Sequence, residues 1–174
     1  ERRVLVTGGT RGIGFAVAEA FLEQDSEVHI TGTAEKGHGP SDSIYHPCDF
    51  TNTKNFENFC ESLNQLGIDV LINNVGINKT GAFAEINPED FLSIQKVNLY
   101  SPFRLIQSVL PGMISKKWGR VVNITSIFGI ISKEHRSPYS ASKFAMDGMS
   151  ASLAAEVAKS GVLVNSVAPG FIDT

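Results

Sequence analysis

Six short runs of apolar and β-branched residues recur along this chain of 174 residues, and longer segments of helical periodicity separate most of them. The runs are almost continuously apolar, as expected for strands buried on both faces of a parallel sheet. The predicted strands are Arg3–Thr7, Glu27–Thr31, Ile44–Cys48, Val70–Ile72, Arg120–Thr125 and Val162–Val167. Strands that alternate with helices predict an α/β fold with a doubly wound parallel sheet, formed as a single domain over residues 1–174. In this architecture ligands bind beyond the carboxyl ends of the strands.

The intervening segments predict helices and one loop. Apolar residues recur at helical spacing over Gly12–Glu23 and Thr51–Leu66, which predicts an amphipathic helix in each. Asn87 is followed by a proline and two acidic residues, a typical helix start. Pro111 falls inside the next helical stretch and predicts a kink or an early end there. The glycine-, proline- and serine-rich segment Gly32–Ser43 predicts a loop or one short turn.

Composition excludes several classes of function. With 15 basic and 18 acidic residues the net charge is −3, so we expect no nucleic-acid partner and no binding to anionic lipid. The two cysteines, Cys48 and Cys60, form neither a disulfide framework nor a zinc site, and the four histidines lack metal-ligand spacing. No apolar run approaches the length of a membrane span and no signal peptide opens the sequence. We therefore expect a cytoplasmic protein without a metal.

A glycine-rich segment, Thr7–Gly14, follows the first predicted strand and opens the first predicted helix, with the spacing G-x-x-x-G-x-G. Glycines allow a tight turn and a close approach of the backbone to a pyrophosphate, and the helix N-terminus supplies N–H donors. Glycines also occur in ordinary strand-to-helix turns. The position between a strand and an amphipathic helix favours a dinucleotide site over that reading.

The residues around this turn favour NADP(H). An NAD site usually carries an acidic residue at the end of the second strand, where it binds the ribose 2′-hydroxyl. Here no acidic residue follows that strand until Glu35, and Arg11 lies within the glycine turn. A guanidinium at that position can bind a 2′-phosphate. The alternative is a solvated loop arginine.

A second motif carries groups suited to proton transfer. In the segment Ser137–Lys143, Ser137 can cap a helix and Pro138 can occupy its first position. Tyr139 and Lys143 are then four residues apart on one helix face. A lysine ammonium and a helix N-terminus both favour a phenolate over a phenol, which suits general acid–base chemistry. A Tyr-x-x-x-Lys pair alone is more often an exposed helix pair, and only its combination with other motifs decides against that interpretation.

From Val4 to Thr174 the chain resembles the classical short-chain dehydrogenase/reductase family, whose fold is the Rossmann type of doubly wound sheet. The matching motifs, in the order of the family, are Thr7, Gly8, Gly12 and Gly14, Asn73–Gly76, Asn98, Ser126, Tyr139 with Lys143, and Pro169–Gly170. Within the family, the stretches 31–34, 116–120 and 168–174 are most similar to the 3-oxoacyl-[acyl-carrier-protein] reductases.

The resemblance implies four catalytic residues. Tyr139 is implied to be the general acid that protonates the carbonyl oxygen of the substrate, and Ser126 to donate a hydrogen bond to that oxygen. Lys143 is implied to promote ionisation of the tyrosine and to bind the nicotinamide ribose. Asn98 is implied to hold a water molecule that connects Lys143 to solvent.

The resemblance also implies a set of residues that bind NADP(H). Asp49 is implied to read the adenine amino group, and Ile172 and Thr174 to flank the nicotinamide amide. Val75 departs from the usual alanine of the family, which adds volume next to the cofactor. The full implied set is Gly8, Thr10, Arg11, Gly12, Ile13, Gly14, Thr33, Asp49, Phe50, Asn74, Val75, Gly76, Tyr139, Lys143, Pro169, Gly170, Ile172 and Thr174.

The implied activity is reduction of a carbonyl to an alcohol by NADPH, with a 3-oxoacyl thioester on acyl carrier protein, in fatty acid synthesis, as the leading substrate. Reduction of another carbonyl compound, such as a sugar or small ketone, is an alternative. A cofactor-binding sensor or scaffold without turnover is an alternative of another class. The family resemblance also implies a homodimer or homotetramer formed through the helices around 101–115 and 139–159.

Two charged segments remain open in their interpretation. Lys116, Lys117 and Arg120 either dock an acidic acyl carrier protein or complement the dipole of a helix C-terminus. The segment Lys133–Arg136 is expected to rim the active site, where it either selects an anionic or polar substrate or forms a solvated loop. Family members continue beyond Thr174 into a lid, a helix and a seventh strand, so we expect these to be absent from this sequence. The short connection over residues 32–43 implies either that a family helix is reduced to a loop or that residues are missing.

Overall fold

The strands form one parallel sheet of six, described here from a computed structural model that covers residues 2–173. Their order is β3-β2-β1-β4-β5-β6, and every neighbouring pair is parallel. The strands are β1 (Arg3–Val6), β2 (Glu27–Gly32), β3 (Ile44–Pro47), β4 (Val70–Asn73), β5 (Gly119–Ile124) and β6 (Val162–Val167). All six predicted strands are confirmed, with ends that differ by at most one residue. The chain reverses its direction of travel across the sheet after β3, so the crevice between β1 and β4 is the expected binding position.

Five α-helices cover the sheet on its two faces. They are α1 (Gly12–Leu22), α2 (Thr53–Leu66), α3 (Pro88–Gln95), α4 (Ser101–Ser115) and α5 (Ser137–Val157). The Asn87 side chain caps α3 by accepting a hydrogen bond from Glu89 N at 3.0 Å, as its sequence predicts. Among residues 2–173, no helix combines the length and the apolar character that crossing a bilayer requires.

Two apolar clusters hold the helices against the sheet. One lies between the sheet and α2, α4 and α5, and the fully buried Phe56, Leu63, Leu105 and Met113 belong to it. The other lies on the opposite face, where Ala18 of α1 packs among the valines and isoleucines of β1, β2 and β4. The central strands β1, β2 and β4 are thus buried on both faces, as their apolar sequences predict. The edge strands β3 and β6 each keep exposed side chains.

Two details of the helices differ from the predictions. The early helix end, one of the two alternatives at Pro111, does not occur, because α4 continues to Ser115. Pro111 lies on the exposed face of α4, where water can satisfy the carbonyl left without an N–H donor, while the buried side chains Leu105 and Met113 keep the helix on the sheet. Ser137 is not a cap, since α5 already includes it and Arg136 occupies the cap position without a side-chain hydrogen bond.

Two connections differ from regular helix. Residues 33–43, between β2 and β3, form bends and turns without a helix, in agreement with the predicted loop. Between α3 and α4 the helix widens into one π-helical turn over Lys96–Tyr100, which sequence periodicity did not indicate. Such turns often occur at functional sites, and this one carries Asn98.

Candidate active site

A cleft runs along the carboxyl ends of β1, β4 and β5, as the fold predicts. It consists of two adjoining cavities, a larger one of about 700 Å³ and a smaller one of about 370 Å³. Both are lined by Ile13, Asn74, Gly76 and Ile77, so they form one continuous site. Among residues 2–173 there is no cluster of three histidine, cysteine or acidic side chains suited to hold a metal ion.

The glycine turn forms one wall of the larger cavity. Gly8 has a φ of +67°, a conformation that disfavours residues with a side chain. A Cβ on Gly14 would overlap the carbonyl oxygen of Gly8 and would lie 2.6 Å from Asn74 Nδ2. The Thr7 hydroxyl accepts hydrogen bonds from Asn74 N at 2.9 Å and from Val75 N at 3.1 Å. These contacts hold the start of α1 close to the end of β4, and its first residues Gly12 and Ile13 line the cavity.

The far end of the larger cavity is formed after β3. Asp49 Oδ1 accepts hydrogen bonds from the N–H of Thr51 at 2.9 Å and from its hydroxyl at 2.7 Å. These bonds lower the pKa of Asp49, mainly through the hydroxyl, so the carboxylate is ionised and fixed in orientation. Cys48 and Val97 also line this cavity, although no sequence motif indicated them. Burial raises the pKa of Cys48 to about 12, which makes it an apolar wall residue and not a reactive thiol.

The larger cavity brings together most of the residues predicted to bind the cofactor. Its lining includes Gly8, Thr10, Arg11, Gly12, Ile13, Thr33, Asp49, Phe50, Asn74, Val75 and Gly76. Gly14 does not line it and instead permits the close packing behind the turn. Pro169, Gly170 and Ile172 line the smaller cavity. Thr174 lies outside the described residues.

Tyr139 and Lys143 lie on one face of α5 and both line the smaller cavity, as their spacing predicts. Lys143 Nζ is 5.6 Å from the centre of the Tyr139 ring and donates a hydrogen bond to the Ile124 carbonyl at 2.9 Å. The lysine is only 3% exposed, and this burial lowers its pKa from 10.5 to about 8, while the nearby carboxylate of Asp147 acts in the opposite direction. A buried lysine that titrates close to neutral pH is typical of a functional site.

Ser126 lies where β5 ends and faces the same small cavity. Its backbone is extended and its hydroxyl oxygen accepts a hydrogen bond from Phe128 N at 3.1 Å. That bond starts a short 3-10 turn over Ile127–Gly129. Because the oxygen accepts and does not donate in this bond, the hydroxyl proton remains available to a ligand.

Asn98 lies behind the cavity and lines neither part of it. Its amide oxygen accepts a hydrogen bond from Ile77 N at 2.8 Å, and its amide nitrogen donates to Ile77 O at 2.9 Å and to Ser142 Oγ at 3.1 Å. The fully buried side chain therefore fixes the main chain at Ile77, which lines both cavities. A Cβ on Gly76 would be 3.5 Å from both Asn98 Oδ1 and Lys143 Nζ, so the amide lies close to the lysine.

The smaller cavity also contains residues that the sequence motifs did not identify as ligand contacts. Phe128, Arg136 and Phe171 line its outer part. The Phe128 ring packs edge-on against Tyr139 and Phe171, with ring centres 6.5 Å and 6.1 Å away. The only signal for Arg136 in the sequence was its place in the charged segment expected to rim the site.

The basic residues considered for carrier-protein docking lie at the opposite edge of the sheet, where β5 begins. Lys116 Nζ donates hydrogen bonds to Gly67 O at 2.8 Å and to Asp69 Oδ1 at 2.7 Å. The Arg120 guanidinium stacks on Trp118, with its central carbon 4.4 Å from the ring centre. Lys116 and Arg120 are thus engaged in contacts within the protein. In a single subunit, the length of β5 separates this basic cluster from Tyr139.

The fold and the cleft define a class of protein: a Rossmann-type α/β domain with a glycine-rich turn after its first strand and, in the adjoining cavity, a tyrosine and a buried lysine. Over residues 2–174 the sequence matches the short chain dehydrogenase family. The chain belongs to this family of oxidoreductases.

Curated relatives are similar over nearly the whole chain. It is 38% identical to the 3-oxoacyl-[acyl-carrier-protein] reductase FabG of Vibrio cholerae and equally identical to the FabG of Aquifex aeolicus. Each comparison covers 98% of this chain and 73% of the relative.

Solved structures share the fold. A putative NAD(P)-dependent gluconate 5-dehydrogenase from Beutenbergia cavernae, with bound NADP, superposes with a TM-score of 0.90 at 28% identity, over 98% of this chain and 72% of that one. A 4-hydroxyisoleucine dehydrogenase complexed with NADH superposes with a TM-score of 0.91 at 29% identity, over 99% and 77% of the two chains.

Proposed function

We propose that this protein reduces a carbonyl group to an alcohol with NADPH. The observation that carries the proposal is the arrangement of Ser126, Tyr139 and the buried Lys143 in the smaller cavity, next to the larger cavity behind the glycine turn. The close packing at Gly14 and the left-handed backbone at Gly8 form a cradle that a side chain would fill. This cradle fits a pyrophosphate.

NADPH is proposed over NADH because of the charges near the end of β2. Arg11 and Thr33 are exposed, line the larger cavity and are placed to bind a 2′-phosphate. Asp49 is the only acidic residue among the described residues that line this cavity, and it follows β3, not β2. The position from which a carboxylate would bind the ribose 2′-hydroxyl therefore carries none.

The bound cofactor supplies the hydride, and the residues of this chain supply the rest. The Ser126 hydroxyl donates a hydrogen bond to the carbonyl oxygen, and Tyr139 gives that oxygen a proton. Lys143, held by the Ile124 carbonyl, stabilises the resulting phenolate with its positive charge. Asn98 keeps the loop at Ile77 in place and is proposed to support a water that returns a proton through Lys143. Phe128 and Phe171 also line this cavity, and the Phe128 ring packs edge-on against Tyr139.

The leading substrate is a 3-oxoacyl thioester on acyl carrier protein, as the names of the FabG relatives suggest. A small polar ketone is the second candidate. It is favoured by the guanidinium of Arg136 in the smaller cavity and by the names of the two similar dehydrogenase structures. Retention of all three reacting side chains argues against a sensor without turnover.

We also propose a cytoplasmic homodimer or homotetramer assembled through α4 and α5. Phe103 on α4 and Phe144 on α5 are 42% and 47% exposed. Exposed aromatic side chains on two neighbouring helices suit a subunit contact. Docking of a carrier protein at Lys116, Lys117 and Arg120 then requires that another subunit bring them near a catalytic cavity.

The test is NADPH oxidation, followed by absorbance, with acetoacetyl thioesters, simple ketones and sugars as substrates. Tyr139→Phe should lower kcat by at least about 100-fold while NADPH binding, measured by fluorescence, stays within about twofold. Tyr100→Phe is the matched control, because it removes the same hydroxyl from an exposed tyrosine on the π-helical turn, outside both cavities. Turnover that survives Tyr139→Phe, or tighter binding of NADH than of NADPH, would contradict the mechanism or the cofactor choice, respectively.

A further inference from the structure

The smaller cavity is positively charged. Its lining includes two cations, Arg136 and Lys143, and no acidic side chain among residues 2–173. The Lys143 ammonium is already engaged by the Ile124 carbonyl and lies beside Tyr139. Arg136 is therefore the cation in this cavity that is available to bind an anionic group of the substrate.

The Arg136 guanidinium has no hydrogen-bond or ion-pair partner within the described part of the chain, although Arg3 and Arg104 each pair with a glutamate there. The guanidinium lies over the Phe128 ring, with its central carbon 5.6 Å from the ring centre. The same ring packs edge-on against Tyr139. Phe128 thus supports the guanidinium from below and places it on the same side of the cavity as the reacting tyrosine.

The position of Arg136 is unfavourable for the helix that follows. Arg136 occupies the cap position of α5 and makes no side-chain cap, and a cation there is repelled by the positive end of the helix dipole. An anion bound in the cavity would be stabilised by the guanidinium and by the helix N-terminus together. A planar carboxylate matches the guanidinium fork with two parallel hydrogen bonds.

We infer that this site also reduces small ketones that carry a carboxylate, with Arg136 binding the carboxylate while Tyr139 faces the ketone. The inference rests on the proposed carbonyl reduction. The ketone carbon gains a hydride and its oxygen gains the proton of Tyr139, so the oxo acid becomes a hydroxy acid while NADPH is oxidised to NADP⁺. The carboxylate is unchanged. A cavity of about 370 Å³ is adequate for a substrate of this size.

Acetoacetate and its neutral methyl ester are the probes, because they present the same ketone with and without the charge. We expect Arg136→Gln to lower the ratio of kcat/KM for acetoacetate to kcat/KM for methyl acetoacetate by about 10- to 100-fold, the usual effect of losing a charge-assisted hydrogen bond. Arg136→Lys, which keeps the charge but not the fork, should lower it less. Lys133→Gln is the control, since Lys133 is exposed in the same loop and does not line the cavity.

Calorimetry of acetoacetate binding to the NADPH-loaded protein gives a readout that does not need turnover. Binding should be weakened by Arg136→Gln and unchanged by Lys133→Gln. A kcat/KM ratio that Arg136→Gln does not change, or that Lys133→Gln lowers equally, would overturn the inference. Reduction of acetoacetyl thioester without binding or reduction of acetoacetate would also overturn it and would leave the proposed function intact. If no carbonyl compound is reduced, both the proposed function and the inference are wrong. Binding of acetoacetate that depends on Arg136 would in that case identify an anion site without turnover.

Discussion

Lys143→Met should stabilise the protein near neutral pH while it abolishes carbonyl reduction. In the folded protein, burial lowers the pKa of Lys143 to about 8 from its ordinary value of 10.5. A difference of this size corresponds to about 3 kcal/mol of unfavourable free energy for keeping the ammonium charged in the folded state. The lysine is nearly fully buried, so solvent does not screen this effect. Loss of the hydrogen bond to the Ile124 carbonyl offsets about 1 kcal/mol, which leaves a net gain of about 2 kcal/mol at pH 7.

The sign and the pH window follow from the direction of the shift. A cation with a lowered pKa destabilises the folded state fully below the folded pKa, because the unfolded chain binds the proton more tightly. The destabilisation decreases as pH rises from about 8 towards the unfolded value near 10.5. The charge penalty is about 1 kcal/mol at about pH 10. After the same offset for the lost hydrogen bond, the difference in free energy of unfolding between Lys143→Met and the wild type should therefore fall close to zero there.

Urea unfolding of both proteins at about pH 7, 8.5 and 10 measures this difference. Other groups titrate over the same range, but they are common to the two proteins and cancel in the comparison. Lys133→Met, at an exposed lysine of the loop that precedes α5, is the control and should show no trend with pH. A Lys143→Met protein that is less stable than the wild type at neutral pH, or a difference that does not change with pH, would refute the reasoning.

Two further predictions concern the cofactor cradle and the edge of the sheet. Gly14→Ala should weaken NADPH binding by at least about 10-fold in a fluorescence titration, because the added Cβ displaces Asn74 and overpacks the turn. Gly112→Ala is the control and should bind NADPH normally, since a Cβ there has no atom within 4 Å. Equal NADPH affinities in the two variants would contradict the role of Gly14. Burial is the main cause of a lowered pKa at His46, and the neighbouring His29 lowers it further. As pH drops, the unfolded chain therefore binds a proton at His46 before the folded protein does. The free energy of unfolding should then fall as pH drops below about 6.5. His46→Gln should flatten this dependence in urea unfolding between about pH 7 and 5, and an unchanged slope would exclude His46 as its source.

Local sequence was sufficient for the sheet and for the motifs that act over a few residues. A strand covered on both faces needs apolar side chains at almost every position, so β1 and β4 could be recognised without knowledge of their partners. The spacing of Tyr139 and Lys143 is set by the helix alone, and the left-handed turn at Gly8 depends on the backbone freedom of glycine. The same is true of the cap at Asn87, which acts on the next two residues.

Residues whose role depends on distant partners could not be assigned in this way. Lys116 belongs to a basic cluster in the sequence, yet its partner is Asp69, which lies 47 positions earlier. Asn98 was predicted only to hold a water near Lys143, and nothing in its neighbourhood along the chain indicated that its amide bonds to Ile77, 21 positions away. Neither contact affects the periodicity of the sequence, since a hydrogen bond between distant residues requires only a suitable donor and a suitable acceptor.

What the sequence determined by itself is the doubly wound sheet, the glycine turn and the helical spacing of Tyr139 and Lys143, because each depends on local backbone preference or on burial that repeats along the chain. Tertiary structure alone decided the properties of these side chains. It buried Lys143 against the Ile124 carbonyl and thereby changed its pKa, and it placed Arg136 in the cavity that holds Tyr139. Desolvation and charge depend on everything that surrounds a group in space, and neighbours in space are brought together only when the chain has folded.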